Sequence, residues 1–200
     1  MIDLGIKNSI GQSVVNPIMS SWLSRADAPV APVAVTGFSI KQTNAMLAQL
    51  AYTASQWNPK LYNGTAYTAG RYQFTSDVLA NYNYINQQFY QSHGASAMTY
   101  TVAWTGVDSM SDLIKFLGTV KIQDRLAAIY MQDNYDTMLT NGTISLDDDL
   151  PTIAGMLFVA QLLGLNANQW RIYGTGVGPN NINPISYFNA GRYAISVLSA

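Results

Sequence analysis

Apolar residues recur at helical spacing in several separate stretches of the chain. From Ser39 onward, Met46, Leu47, Leu50, Ala51 and Ala54 fall on one face, which predicts a helix to about Gln56. The turn-rich run from Trp57 to Phe74 follows, and its Asn63-Gly64 pair predicts a small hairpin. Thr75 or Ser76 is placed to cap a helix through about Tyr90, with Asp77 favourably sited in the first turn. Ser111 is the expected cap for Leu113, Ile114, Phe116 and Leu117. Helical periodicity then resumes from Ile122 to Leu139, and Asn141-Gly142 stops it. Asp147-Asp148-Asp149 followed by Pro151 makes a good acidic start for an apolar helix over 151–165. A Gly- and Asn-rich loop, Gly174 to Pro184, leads into a last helix from about Ile185. The pattern is α+β and mostly α-helical, with one short β-hairpin.

The N-terminal part reads differently. Pro29 and Pro32 stand among small residues, and proline fixes φ and pushes its predecessor out of the helical region. The chain is therefore expected to divide into an arm over 1–25, an extended linker over 26–38 and a domain over 39–200. Ile6, Ile10, Val14 and Val15 lie on an amphipathic turn of the arm that Pro17 would end, so the arm reads either as a frayed terminus or as a tether to a partner protein. Asn8, Ser9, Gln12 and Asn16 make this stretch a poor signal-peptide core, although the later Ala-Pro-Val-Ala-Pro-Val-Ala run resembles a cleavage region.

Composition narrows the chemistry. Only 10% of residues are charged and the formal net charge is -1, so the concentrated basic field that nucleic acid or an anionic membrane surface requires is missing. The longest apolar run, Ile153 to Leu165, is too short and interrupted to span a bilayer unaided. Cysteine is absent, which excludes thiol nucleophiles and cysteine metal sites, and the single His93 cannot build a histidine cluster. No metal or cofactor is expected. All 11 acidic residues are aspartate. Plentiful tyrosine and asparagine suit polar contacts with sugars or neighbouring subunits.

Four stretches, in order, resemble one family. Ala54-Ser-Gln-Trp-Asn-Pro59 resembles the Glu-Ser-x-Phe/Trp-Asn-Pro motif of lytic transglycosylases, and Leu50-Ala-Tyr-Thr-Ala-Ser55 resembles the Leu-Ala-Trp-Ser-Glu-Gly run of lambda-type phage endolysins. Thr68-Ala-Gly-Arg-Tyr-Gln-Phe74 is similar to the Gly-Ala-Gly-Arg-Tyr-Gln-Leu of the lambda-type enzymes. Gln123-Asp-Arg-Leu-Ala-Ala128 resembles a Gln-Asp element of those chains, and Tyr187-Phe-Asn-Ala-Gly191 resembles the Ala-Tyr-Asn-Ala-Gly motif of the transglycosylase core. The resemblance covers about Ser39 to Ile195 and implies a lysozyme-like fold. It also implies a saccharide cleft lined by Tyr72, Gln73, Tyr187 and Asn189, for each of which packing and turn formation is the alternative role.

Both alignments place Ala54 where the family has its catalytic glutamate. Breaking a glycosidic bond needs a proton for the leaving oxygen, normally from a carboxylic acid, and alanine has none. On periodicity alone Ala54 is a small core residue. Asp77 and Asp124 are the nearby substitutes, the first better explained by the helix dipole and the second by capping, pairing or orienting. Arg71 is read as holding an acidic peptide stem or as pairing with an aspartate, and His93 as a loop residue. Asn63-Gly-Thr65 and Asn141-Gly-Thr143 fit the glycosylation pattern but are better explained as turns. The resemblance implies a phage virion protein, of the tail, the baseplate or an internal structure, with a catalytically inactive transglycosylase-like domain. Its implied partners are other virion structural proteins, reached through the arm, and the glycan strands of peptidoglycan at the bacterial envelope. The alternative is an active virion-associated transglycosylase or muramidase.

Overall fold

The computed structural model describes residues 18–174 and 182–198. The expected arm turn at Ile6, Ile10, Val14, Val15 and Pro17 lies outside them. The elements in order are α1 (Ile18–Leu23), α2 (Ile40–Ser55), β1 (Tyr62–Asn63), β2 (Thr68–Ala69), β3 (Phe74–Thr75), α3 (Ser76–Asn81), α4 (Gln87–His93), α5 (Leu113–Gly118), α6 (Val120–Thr140), α7 (Leu150–Leu163), α8 (Ala167–Tyr173) and α9 (Pro184–Ser196). The protein is α+β, mainly helical with a small antiparallel sheet. It comprises two compact units, one of residues 51–127 and one of the described residues up to Leu50 and from Ala128 onward.

The 51–127 unit carries the sheet. Its strands pair in the order β1-β2-β3, with Tyr62 opposite Ala69 and Ala69 opposite Phe74. The predicted hairpin is thus a three-stranded meander. The Asn63 side chain accepts from the backbone N–H of Thr65 (3.0 Å) and Ala66 (3.1 Å), so it builds the first turn from within. The core centres on Phe116, with the rings of Phe74, Tyr84 and Trp104 within 6.2 Å of it. The helix expected from 75 to about Tyr90 is two helices. Asn83 takes a left-handed conformation after α3, Ile85 bridges Trp104, and the Asn86 N–H donates to the Ala103 carbonyl at 2.8 Å. Non-local pairing therefore replaces the helical bonds, and the Asn86 side chain caps a new helix by accepting from Phe89 N–H. Thr75 makes no capping bond with its side chain. The cap of α5 is Asp112, which accepts from Lys115 N–H at 2.8 Å, while Ser111 donates its hydroxyl to Asp112.

In the other unit, α2 opens with a reciprocal capping box. Gln42 N–H donates to the Ser39 hydroxyl (3.2 Å) and Ser39 N–H to the Gln42 side chain (2.8 Å). Residues 26–38 contain no helix or strand, yet Ala31, Val35 and Phe38 are buried. Their backbone is satisfied from α2, with Ala31 N–H donating to Asn44 and Val35 N–H to Thr43. Asp149 caps α7 by accepting from Thr152 N–H at 2.7 Å. Residues Ile153 to Ala160 of this helix are buried, and α9 packs closely along it. Gly155 and Gly191 make that approach possible: a Cβ on Gly191 would lie 2.8 Å from the Ala154 carbonyl carbon, and one on Gly155 would lie 2.6 Å from the Phe188 ring.

Candidate functional site

The segment that follows α2 and the start of α6 form a polar cluster within the 51–127 unit. Gly70 turns the chain at φ +81°, a conformation that glycine adopts without strain. The turn delivers Arg71 and Tyr72 into the interior, where each is 1% exposed. Arg71 Nη1 donates to Asp124 Oδ1 at 3.1 Å, the Tyr72 hydroxyl donates to the same oxygen at 2.8 Å, and the guanidinium also lies over the Trp57 ring, 5.7 Å from its centre. Burial, reinforced by the Asp124 charge, pushes the Tyr72 phenol well above its ordinary value.

Gln123 holds the backbone of the same turn. Its Oε1 accepts from Arg71 N–H at 2.8 Å, while its Nε2 reaches the carbonyls of Phe116 (2.9 Å), Pro59 (3.1 Å) and Leu117 (3.3 Å). Gln73 closes the turn: its Nε2 donates to the Gly70 carbonyl at 2.8 Å, and its Oε1 accepts from the Thr68 hydroxyl at 2.6 Å. The Ser55 hydroxyl lies 2.8 Å from the Arg71 carbonyl and ties the end of α2 to this construction. The Ala-Gly-Arg-Tyr and Gln-Asp elements, which the sequence offers as separate motifs, are therefore physical partners.

Two of the residues expected to line a saccharide cleft, Tyr72 and Gln73, belong to this cluster. Tyr72 has neither an open ring face nor a free hydroxyl with which to meet a sugar, and the Gln73 carboxamide is committed to its own turn. Arg71 pairs with Asp124 and is too buried to hold a peptide stem. Tyr187 and Asn189 both stand on α9 of the other unit; Tyr187 is buried, which pushes its phenol up to about 12, and Asn189 is half-buried.

Ala54 is half-buried near the end of α2, whereas Met46, Leu47, Leu50 and Ala51 of the same helix are wholly buried. The aspartates considered as substitutes are placed as follows. Asp124 uses Oδ1 as an acceptor for two donors, so its partners take lone pairs from it rather than a proton. Asp77 is exposed in the first turn of α3. Asp108 pairs with Arg125 and accepts from the Tyr84 hydroxyl at 2.7 Å. His93, expected in a loop, ends α4. Among the described residues no group of three or more His, Cys, Asp or Glu is arranged to hold a metal ion, and no helix is long and apolar enough to cross a membrane.

Gln123 is the residue that sequence reasoning quoted within a motif but gave no role. A buried amide reads as an ordinary helical glutamine until its four backbone partners are seen. Comparison with family models, curated proteins and solved structures finds no match to the chain.

Proposed function

We propose that this protein is a structural component of a phage virion, in the tail, the baseplate or an internal structure, built on a lysozyme-like, transglycosylase-like domain that no longer cleaves glycan. The observation that carries the reading is the pairing of Arg71 and Tyr72 with Asp124 beside an α2 that ends through Ala54. Motifs resembling those of a glycosidase survive as the packing of a buried polar cluster, with no carboxylic acid at the position where the resemblance puts one. Such a cluster specifies a fold, because each of its members would be costly to bury alone. It supplies no proton to a leaving oxygen.

In this reading the arm before residue 26 attaches the domain to other virion proteins, and the domain meets peptidoglycan at the bacterial envelope by binding alone. Mass spectrometry of purified particles tests the placement: the chain is expected as a stoichiometric virion component. Its recovery solely from the soluble lysate would refute the virion role. Incubation with purified peptidoglycan tests the chemistry, with co-sedimentation expected and no soluble muropeptides released.

A further inference from the structure

The geometry points to a second, independent surface of the 51–127 unit, formed by Phe89, His93 and Tyr100, as a stacking platform for a neutral glycan. Phe89 and His93 stand four residues apart on α4, and their rings stack with centres 3.9 Å apart and planes 8° from parallel. Tyr100 is delivered by the 3₁₀ segments after α4 and leans against both, 5.5 Å from Phe89 and 5.2 Å from His93. The group is not core. Tyr100 is 45% exposed, His93 is exposed and Phe89 is half-buried.

The surroundings select the ligand. From Val78 to Val107 the chain contains no Asp, Glu, Lys or Arg, and a charge that does reach α4, that of Asp77 beside Tyr90, is negative and would not attract nucleic acid or an acidic peptide. Exposed amides and hydroxyls take the place of charged groups in this stretch. Gln88 and Gln91 on α4 are exposed, their carboxamides making no hydrogen bond among the described residues, and Thr99 and Thr101 flank Tyr100. An exposed aromatic group beside exposed amides matches a pyranose chain, whose axial C–H faces are apolar and whose edges carry hydroxyl and acetamido groups. His93 is held for this geometry: its Nδ1 lies 2.8 Å from the Ser92 hydroxyl and 3.1 Å from the Phe89 carbonyl, which fixes the ring over Phe89.

This inference rests on the wall-binding part of the proposed function and supplies a contact surface for it that does not use the buried Tyr72. It is separable from virion placement and from the absence of cleavage, which other assays read. His93 is the single histidine, so the imidazole carbon-bound protons of the full chain give one unambiguous NMR reporter. Titration with chitotetraose, an uncharged β-linked N-acetylglucosamine tetramer, is expected to move the His93 signals saturably in the millimolar range. Tyr100→Ala is expected to weaken the apparent Kd by about tenfold, and Tyr100→Phe to keep it. His93 signals that do not move up to the solubility limit would overturn the platform. So would an unchanged Kd in a folded Tyr100→Ala variant, because the binding would then lie elsewhere. Loss of particle incorporation in Tyr100→Ala with no sugar response in the parent would identify the surface as a protein contact and reject the glycan.

Discussion

The side-chain oxygen of Gln123 stands 2.6 Å from the point that a Cβ on Gly70 would occupy. The Gly70 conformation and the Gln123 hydrogen bonds therefore require one another. Gly70→Ala meets two penalties, a left-handed backbone at φ +81° and displacement of a side chain bonded to four backbone groups. Gly142 has a similar φ of +73° but nothing within 4 Å of its would-be Cβ. Gly142→Ala is expected to cost about 1 kcal/mol from strain alone, and Gly70→Ala at least twice that. Denaturant midpoints of the two variants give the comparison, and equal losses would show that Gln123 yields freely.

The Arg71–Asp124 pair should be worth far more to break than to replace. Removing one partner of a buried ion pair leaves an uncompensated charge, at a cost of about 3–5 kcal/mol. Asp124→Asn is expected to lose stability in this range, whereas Arg71→Met with Asp124→Leu should lose less than the sum of the two single changes. A double-mutant cycle measured by equilibrium unfolding checks it. Additive losses would mean that the pair is not coupled.

Alkali should unfold this protein earlier than its charge balance suggests. Because burial raises the Tyr72 phenol well above 10, the native state holds that proton more tightly than the unfolded chain does. The stability contributed by Tyr72 is complete below pH 10 and is lost as the pH rises through the folded-state value. Tyr187 and Tyr193, pushed up to about 12 by burial, act with the same sign. The unfolding free energy is thus expected to decline from pH 10 upward, and Tyr72→Phe to flatten part of that decline. Phenolate absorbance followed alongside the denaturant midpoint would detect it. A slope unchanged in Tyr72→Phe would assign the loss to other groups.

Glycine to alanine changes in two helices should have opposite signs. Helix propensity favours alanine by about 1 kcal/mol. At Gly118, the last residue of α5, nothing lies within 4 Å of the added Cβ, so part of that gain should appear. At Gly191 the Cβ would press on the backbone of α7 at Ala154 and Gly155, and overpacking against backbone costs about 1–3 kcal/mol. Gly118→Ala is expected to raise Tm and Gly191→Ala to lower it. A stabilised Gly191→Ala would show that α9 can move away from α7 at little cost.

The helices were legible where local signals act alone. The acidic start before α7 and the stop at Gly142 are short-range chemistry, and α2, α6, α7 and α9 follow within a few residues of their expected limits, whereas the caps expected at Thr75 and Ser111 are not made. The break between α3 and α4 was not legible, because it depends on Ile85 pairing with Trp104, a contact that leaves no periodic trace. For the same reason the choice between a cleft-lining and a packing role for Tyr72 was not legible: its burial goes with the bond to Asp124, 52 residues further along the chain. Gly191 read as part of a sugar-site motif, while its physical constraint is the close approach of two helices. The aromatic platform was hidden differently, since Phe89 and Tyr100 come together only through the turn that Gly94 makes at φ +59°.

Ala54 offers the most direct test of the proposed descent from a glycosidase. The residue is half-buried, and the next side chain, Ser55, is fixed to the Arg71 carbonyl, so position 54 sits on a firmly held helix end. A glutamate placed there would be partly desolvated, which favours its protonated form, the one a general acid uses. General acid–base catalysis typically contributes about 10²- to 10⁴-fold in rate, enough to separate a restored site from background. The parent chain is expected to release no soluble muropeptides from purified peptidoglycan, Ala54→Glu to release them slowly, and Ala54→Gln, which matches the shape but has no proton to give, to release none. Release by the parent would end the inactive reading. Equal release by Ala54→Glu and Ala54→Gln would show that position 54 does not act as the acid.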